Sequence, residues 1–176
     1  MEKNVKSSAI NYGLYLGVIL AIGTAIPYAV NIGLLANMWY GITLLIIMLV
    51  LGIISVAKAK GLLNGFISFK EAFTSYFITV VIGILISTVV SFVLFNIIDP
   101  EAAVELKKIT IENTITGMER WGVPAEAIAE TVDAMEDQND YSIGNIAKGL
   151  GFYIILFSIL GLIIAAIMKR NDPDKA

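Results

Sequence analysis

Four long apolar runs, at about residues 9–29, 38–57, 72–98 and 149–168, alternate with polar stretches of unequal size. Each is long enough to cross a hydrocarbon core of about 30 Å as a helix. The third run is the most fully punctuated. It opens with Ser68-Phe-Lys-Glu-Ala-Phe, continues through 27 uncharged residues and stops at Asp99-Pro100. Ser68 and Glu71 have capping-box spacing: the serine hydroxyl accepts from the Glu71 amide, and the carboxylate returns to the serine amide. Glu71 also stands at the positive end of the helix dipole, while Lys70 reaches the headgroups along its apolar stem. At 1.5 Å per residue the run is roughly 40 Å long, so it tilts or leaves its last turn in the interface. Asp99 precedes a proline, which pushes it out of helical geometry.

Two of the runs carry small residues at a fixed interval. Ser75, Thr79, Gly83, Ser87 and Ser91 recur every four residues on the third, and Gly13, Gly17, Ala21, Ala25 and Ala29 on the first. Small side chains at that spacing let a second backbone come close, and close packing is what holds helices together in lipid. The expectation is that these are helix-packing faces and that they meet each other. A polar lining for a solute path is the competing reading, weakened because no ionisable group joins the stripe. The fourth run has a smaller notch at Gly161-x-x-x-Ala165.

The connections follow. Lys3 and Lys6 precede the first run, which is too long for a signal peptide and lacks a small-x-small site after it, so it is read as an uncleaved anchor. Pro27 and Tyr28 mark its far end, and residues 31–37, with Gly33 and two asparagines, form the turn. Trp39 and Tyr40 stand at the next interface; Lys58 and Lys60 close the second run. Gly61, Asn64 and Gly65 supply the loop that leads back to Ser68.

Residues 99–148 are the one water-facing stretch, with eleven acidic and four basic side chains. Asp99 caps a helix that has Pro100 and Glu101 in its first turn and reaches about Trp121. Gly122 breaks it, and Pro124 restarts a second helix to about Gln138. On the second, Ile128, Val132 and Met135 share one face, while Glu126, Glu130, Asp133 and Asp137 fall on others. This amphipathic hairpin has too few large apolar residues for a core of its own. It must lean on the bundle, on a second copy or on a partner, and the apolar stripe is the expected partner-binding face.

Composition narrows the class. The chain has 176 residues, 57% hydrophobic and 15% charged, with a mean hydropathy of +0.82, which marks an integral membrane protein. It has neither cysteine nor histidine, which removes disulfides, thiolate catalysis, the commonest metal ligand and the commonest general base. Asp133, Glu136, Asp137 and Asp140 with Asn139 fail the calcium-loop template: counted from Asp137, Ser142 falls where glycine is needed and Lys148 at the final ligand. A solvated acidic face is the reading, with no metal and no cofactor. No phosphate loop or nucleophile–base pair is present, so an enzyme is not expected. Nucleic acid is not an expected partner; the lipid bilayer is.

Lysine and arginine near membrane ends stay in the cytoplasm. Lys3, Lys6, Lys58, Lys60, Lys70, Lys169, Arg170 and Lys175 fall on one side, which places both termini in the cytoplasm and residues 99–148 outside. The Ser68-Phe-Lys-Glu-Ala-Phe lead-in, and the hairpin stretch Met118-Glu-Arg-Trp-Gly-Val-Pro-Ala-Glu-Ala-Ile, resemble an uncharacterised family of bacterial four-span inner-membrane proteins known as a domain of unknown function. That resemblance covers nearly the whole chain and implies the four-span architecture without an activity. The expected architecture is all-α: a three-span region at 1–98, an acidic extracytoplasmic helical hairpin at 99–148, and a fourth span with its tail at 149–176. The expected function is a non-enzymatic interaction or scaffold protein whose hairpin binds a second copy or a membrane or periplasmic protein. The alternative is a small oligomeric channel or transporter for a neutral solute.

Overall fold

The computed structural model describes residues 2–138 and 141–170. Lys175 of the cation count, and Asn139 and Asp140 of the acidic cluster, lie outside the described residues. Among the described residues, four helices are long and apolar enough to cross a membrane: α1 Lys3–Val30, α2 Met38–Leu62, α3 Phe69–Phe92, whose span continues to Ile98, and α6 Ile143–Met168. Between α3 and α6 come α4 Pro100–Arg120 and α5 Ala125–Asp137. There is no strand among the described residues, only an isolated antiparallel bridge between Ile67 and Arg170. The chain is an all-α, four-helix membrane bundle with a helical hairpin inserted before its last helix.

Local chemistry sets the boundaries. Ser68 Oγ accepts from the Glu71 amide at 3.3 Å, and Glu71 Oε2 accepts from the Ser68 amide at 3.1 Å, so α3 opens on a complete capping box. Its last residues widen into a π-helical stretch, Val93–Ile98, whose final bond runs from the Asp99 amide to the Leu94 carbonyl at 2.8 Å. Asp99 then leaves helical geometry and its carboxylate accepts from the Ala102 amide at 3.0 Å, with Pro100 in the first turn of α4. Asn31 and Asn37 bracket the 3-10 turn Ile32–Ala36: Asn31 accepts from the Gly33 amide, Asn37 from those of Trp39 and Tyr40. After α2, Asn64 and Gly65 take positive φ values of 56° and 86°, and the Gly65 amide returns to the Lys60 carbonyl at 2.9 Å. The helices run beyond the apolar runs that mark them: α1 starts at Lys3 and α6 at Ile143.

Helix α3 is the hub. Its interface with α1 is the most extensive in the molecule, and it also packs on α2 and α6, whereas α2 and α6 barely touch. The buried cluster gathers Val56, Ala72, Tyr76, Val80, Ile84 and Phe157 around it. The outer surface is apolar too: Ile46, Val89, Ile155, Ile163 and Ile167 are exposed. A water-soluble protein of this size does not present such a girdle, and lipid is its natural solvent.

The two ends of the bundle differ. At the end opposite the hairpin, Lys60 Nζ donates to the Met168 carbonyl at 3.0 Å. Ile67 and Arg170 exchange backbone hydrogen bonds of 2.9 Å, and the Arg170 guanidinium lies 5.2 Å over the Phe66 ring. This strap ties α2, the lead-in to α3 and the end of α6. At the hairpin end, Tyr28 OH donates to Asp99 Oδ2 at 3.0 Å, and buried Phe95 lies between the Tyr28 and Tyr141 rings. Helix α4 crosses the 3-10 turn, where Asn113 Nδ2 donates to the Ala36 carbonyl at 3.3 Å. Helix α5 rests on α4, and Lys107 Nζ caps its last turn through the Glu136 and Gln138 carbonyls at 2.6 and 2.8 Å.

Candidate functional site

A four-residue interval advances about 400° around a helix, so a stripe at that spacing winds by about 40° per step. Each small stripe therefore faces one neighbour for only part of its length. On α1, Gly13 and Gly17 are buried, Ala21 is half-buried, and Ala25 and Ala29 are exposed. The contact passes instead to Leu16, Leu20, Thr24 and Pro27. On α3, Ser75, Thr79 and Gly83 are buried, while Ser87 and Ser91 are half-buried.

The strap-side parts of both stripes lie on the α1–α3 interface, and each glycine there is covered by a large side chain of the other helix. A Cβ added to Gly13 would lie 2.8 Å from Ile82 Cβ, and one on Gly17 2.5 Å from Ile86 Cδ1. Leu16 in turn fills the space over Gly83, where a Cβ would lie 2.6 Å from Leu16 Cγ. Close by, Thr79 Oγ1 is 2.7 Å from Ser55 Oγ, 3.0 Å from the Ala9 carbonyl and 2.9 Å from the Ser75 carbonyl. One hydroxyl of α3 thereby joins α1 and α2. Thr79→Val keeps the shape and leaves Ser55 without its partner. It should lower stability by about 1 kcal/mol in thermal unfolding in detergent, and Ser55→Ala added to it should recover part of the loss. No change in either variant would mean that the cluster holds nothing together.

Towards the hairpin, α2 and α6 splay apart and leave a groove of about 630 Å³. Met38, Gly41, Leu45 and Met48 of α2 form one wall; Asn145, Gly149, Tyr153 and Phe157 of α6 form the other. Its back is α3, with Ile84, Ser87, Thr88 and Ser91. The second half of the α3 stripe thus faces open space in place of α1. The Tyr76 ring lies towards the strap from this groove, between Gly52 of α2 and Gly161 of α6, and is fully buried. Above the groove, Tyr141 also lines it and is held through Phe95.

Polar side chains also line a hollow at each end of the bundle. One, at the strap end, is lined by Asn4, Ser7, Ser8, Asn11, Tyr12 and Lys58; the other, under α4, by Tyr28, Asn31, Asp99 and Glu105. Among the described residues no cluster of histidine, cysteine or carboxylates has the make-up of a metal site.

Ile128, Val132 and Met135 are half-buried on the α5 face that also carries Ala127 and Thr131. No α5 residue is fully buried. Trp121, which the sequence marks only as a helix end, is 89% exposed at the hairpin tip. Gly52 and Phe95 were equally silent in the sequence, the first because a single glycine in an apolar run has no signature. Gly161 stood only as a notch, without its partner Tyr76.

No curated protein and no solved structure matches the chain. A family model described as a protein of unknown function, DUF4199, matches residues 11–170, which take in most of α1, the other three apolar helices and the hairpin, and the chain belongs to that family.

Proposed function

We propose that this chain is a non-enzymatic interaction protein of the bacterial cytoplasmic membrane, with both termini in the cytoplasm and the α4–α5 hairpin outside. The charge pattern supports the threading: Lys58, Lys60, Lys70, Lys169 and Arg170 gather at the strap end, and the hairpin is acidic. The observation that carries the interaction reading is Trp121, almost bare at the tip of the acidic hairpin. Tryptophan is the side chain most enriched among residues that dominate binding energy at protein interfaces. Helix α5 adds to this: 13 residues with none fully buried are marginal alone, and a second copy or a membrane or periplasmic protein supplies the missing contact.

In-cell photocrosslinking from positions 121, 128 and 132 tests the reading. Discrete adducts to another protein or to a second copy are expected. Crosslinks confined to this chain's own helices would make the hairpin a lid and sink the interaction reading. The second reading, an oligomeric channel for a neutral solute, is favoured by the Ser87, Thr88 and Ser91 hydroxyls on the groove. A strictly monomeric particle in native mass measurement would count against it, because four helices packed around Tyr76 leave no through-path.

A further inference from the structure

We propose that the hollow between α1 and α2 at the strap end holds the headgroup of an anionic phospholipid, one whose headgroup carries hydroxyls and no cation, as phosphatidylglycerol does. The site stands at the opposite end of the bundle from the hairpin. It rests neither on the hairpin's partner surface nor on which side of the membrane the strap faces.

The sequence builds one wall. Asn4, Ser8, Asn11 and Tyr15 recur at helical spacing along one face of α1, with Ser7 beside them. The same face continues into the bundle as Val18, Ile22 and Ile26, all exposed. On α2, Lys58 gives way one and two turns further in to exposed Ile54 and Val50. Beyond the hollow both helices therefore turn from polar to apolar at one level. Depth agrees with this. From Trp39 to Lys58 α2 rises about 28 Å, and from Ser8 to Tyr28 α1 rises about 30 Å, each close to the thickness of a hydrocarbon core. Trp39 and Tyr28 mark one boundary of that core, so the hollow lies at the other, level with the lipid phosphates.

The polar side chains of this hollow are not used inside the protein. Asn4, Ser7, Ser8, Asn11 and Lys58 line it, and none makes a side-chain hydrogen bond or ion pair with another described residue. Nearby Lys60, by contrast, is held by the Met168 carbonyl at 3.0 Å. At the level of the headgroups the abundant acceptor is the lipid phosphate, and basic pockets between membrane helices bind anionic headgroups.

The chemistry of the lining selects among lipids. It has one cation, Lys58, and no carboxylate. The ammonium supplies a charge-assisted contact to a phosphate. Asparagine and serine both donate and accept, which matches the hydroxyls of a glycerol headgroup. An ethanolamine headgroup would bring a second ammonium to Lys58 with no anion to meet it. Tyr12 and Tyr15, edge to face at 6.0 Å, and Leu62 give the lipid's glycerol backbone an amphipathic seat.

The test is native mass measurement of the full chain in mild detergent, with phosphatidylglycerol and phosphatidylethanolamine of the same acyl chains added in competition. A single phosphatidylglycerol should be retained in preference to phosphatidylethanolamine. Lys58→Gln should weaken its binding about fivefold, the upper end for one exposed charge contact. Asn11→Leu should weaken it about threefold, the scale of one hydrogen bond. Lys70→Gln, a lysine at the same end but outside the hollow, should change nothing. All three positions are exposed, so thermal unfolding should match the parent's. Phosphatidylglycerol carrying a diazirine beside its glycerol backbone should label Tyr12, Tyr15 and Leu62. Equal retention of the two lipids, or equal losses from Lys58→Gln and Lys70→Gln, would show only a general attraction to a basic end and overturn the proposal. Displacement of the lipid by excess inorganic phosphate would make this a site for free phosphate and overturn it too.

Discussion

Gly161→Ala should lower the stability of the bundle by about 1–3 kcal/mol, the range of a methyl group forced into a filled core. Its Cβ would stand 2.6 Å from Tyr76 Cδ1 and 2.9 Å from Cε1, closer than real carbon atoms approach. The ring cannot retreat, because on its other side a Cβ on Gly52 would lie 2.5 Å from Cε2. Gly52→Ala should therefore cost about as much as Gly161→Ala. Replacing the ring distinguishes this clamp from a general intolerance of helix changes. Tyr76→Phe should be neutral or slightly stabilising, since the hydroxyl is buried without a hydrogen-bond partner. Tyr76→Leu alone leaves a void, but combined with Gly161→Ala it should cost less than the sum of the two. Thermal unfolding in detergent reads all of these. If Gly161→Ala unfolds at the parent temperature, α6 is not seated on Tyr76.

Gly17→Val should part α1 from α3. The first methyl position already lies 2.5 Å from Ile86 Cδ1 and 2.7 Å from its Cβ, so rotation of the isoleucine does not relieve it. Two further methyls raise the overlap, and the helices must move apart at the point of their closest approach. A loss of about 3 kcal/mol is expected, at the upper end for overpacking. Disulfide trapping reports it directly. Gly13→Cys paired with Ile82→Cys should oxidise in the parent, because the two Cβ positions face each other at 2.8 Å and need part by only about 1 Å to reach disulfide geometry. In the Gly17→Val background the yield should collapse, while Gly13→Cys paired with Leu85→Cys, on the exposed side of α3, should give none in either.

The sequence made the architecture readable where an atom has only local work to do. Ser68 and Glu71 announce the start of α3, and Asp99 with Pro100 the switch to α4, because caps are completed within a few residues. Side choice along a helix was harder to read. The small residues of α1 and α3 sit at a constant interval in sequence, yet winding turns Ala25 and Ala29 outward and Ser87 and Ser91 towards the groove. Which part of a stripe meets a helix depends on crossing geometry, and that is set by distant pairs such as Leu16 on Gly83. The groove was not legible at all. It exists because α2 and α6 diverge, and no residue on either encodes that alone. Trp121 was visible as a letter, and only the fold shows that nothing covers it.

The strap has a consequence for the order in which the molecule is made. Lys60 and Met168 are 108 residues apart, so their bond closes only when the last helix has emerged and inserted. Until then α1, α2 and α3 stand as a three-helix unit joined through Thr79, with the face of Tyr76 that Gly161 later covers turned to lipid. The acidic hairpin must reach its side of the membrane before α6 can return. Assembly is thus finished from the chain's end, and a ribosome that stalls short of Ile143 leaves a bundle that is threaded but unlocked.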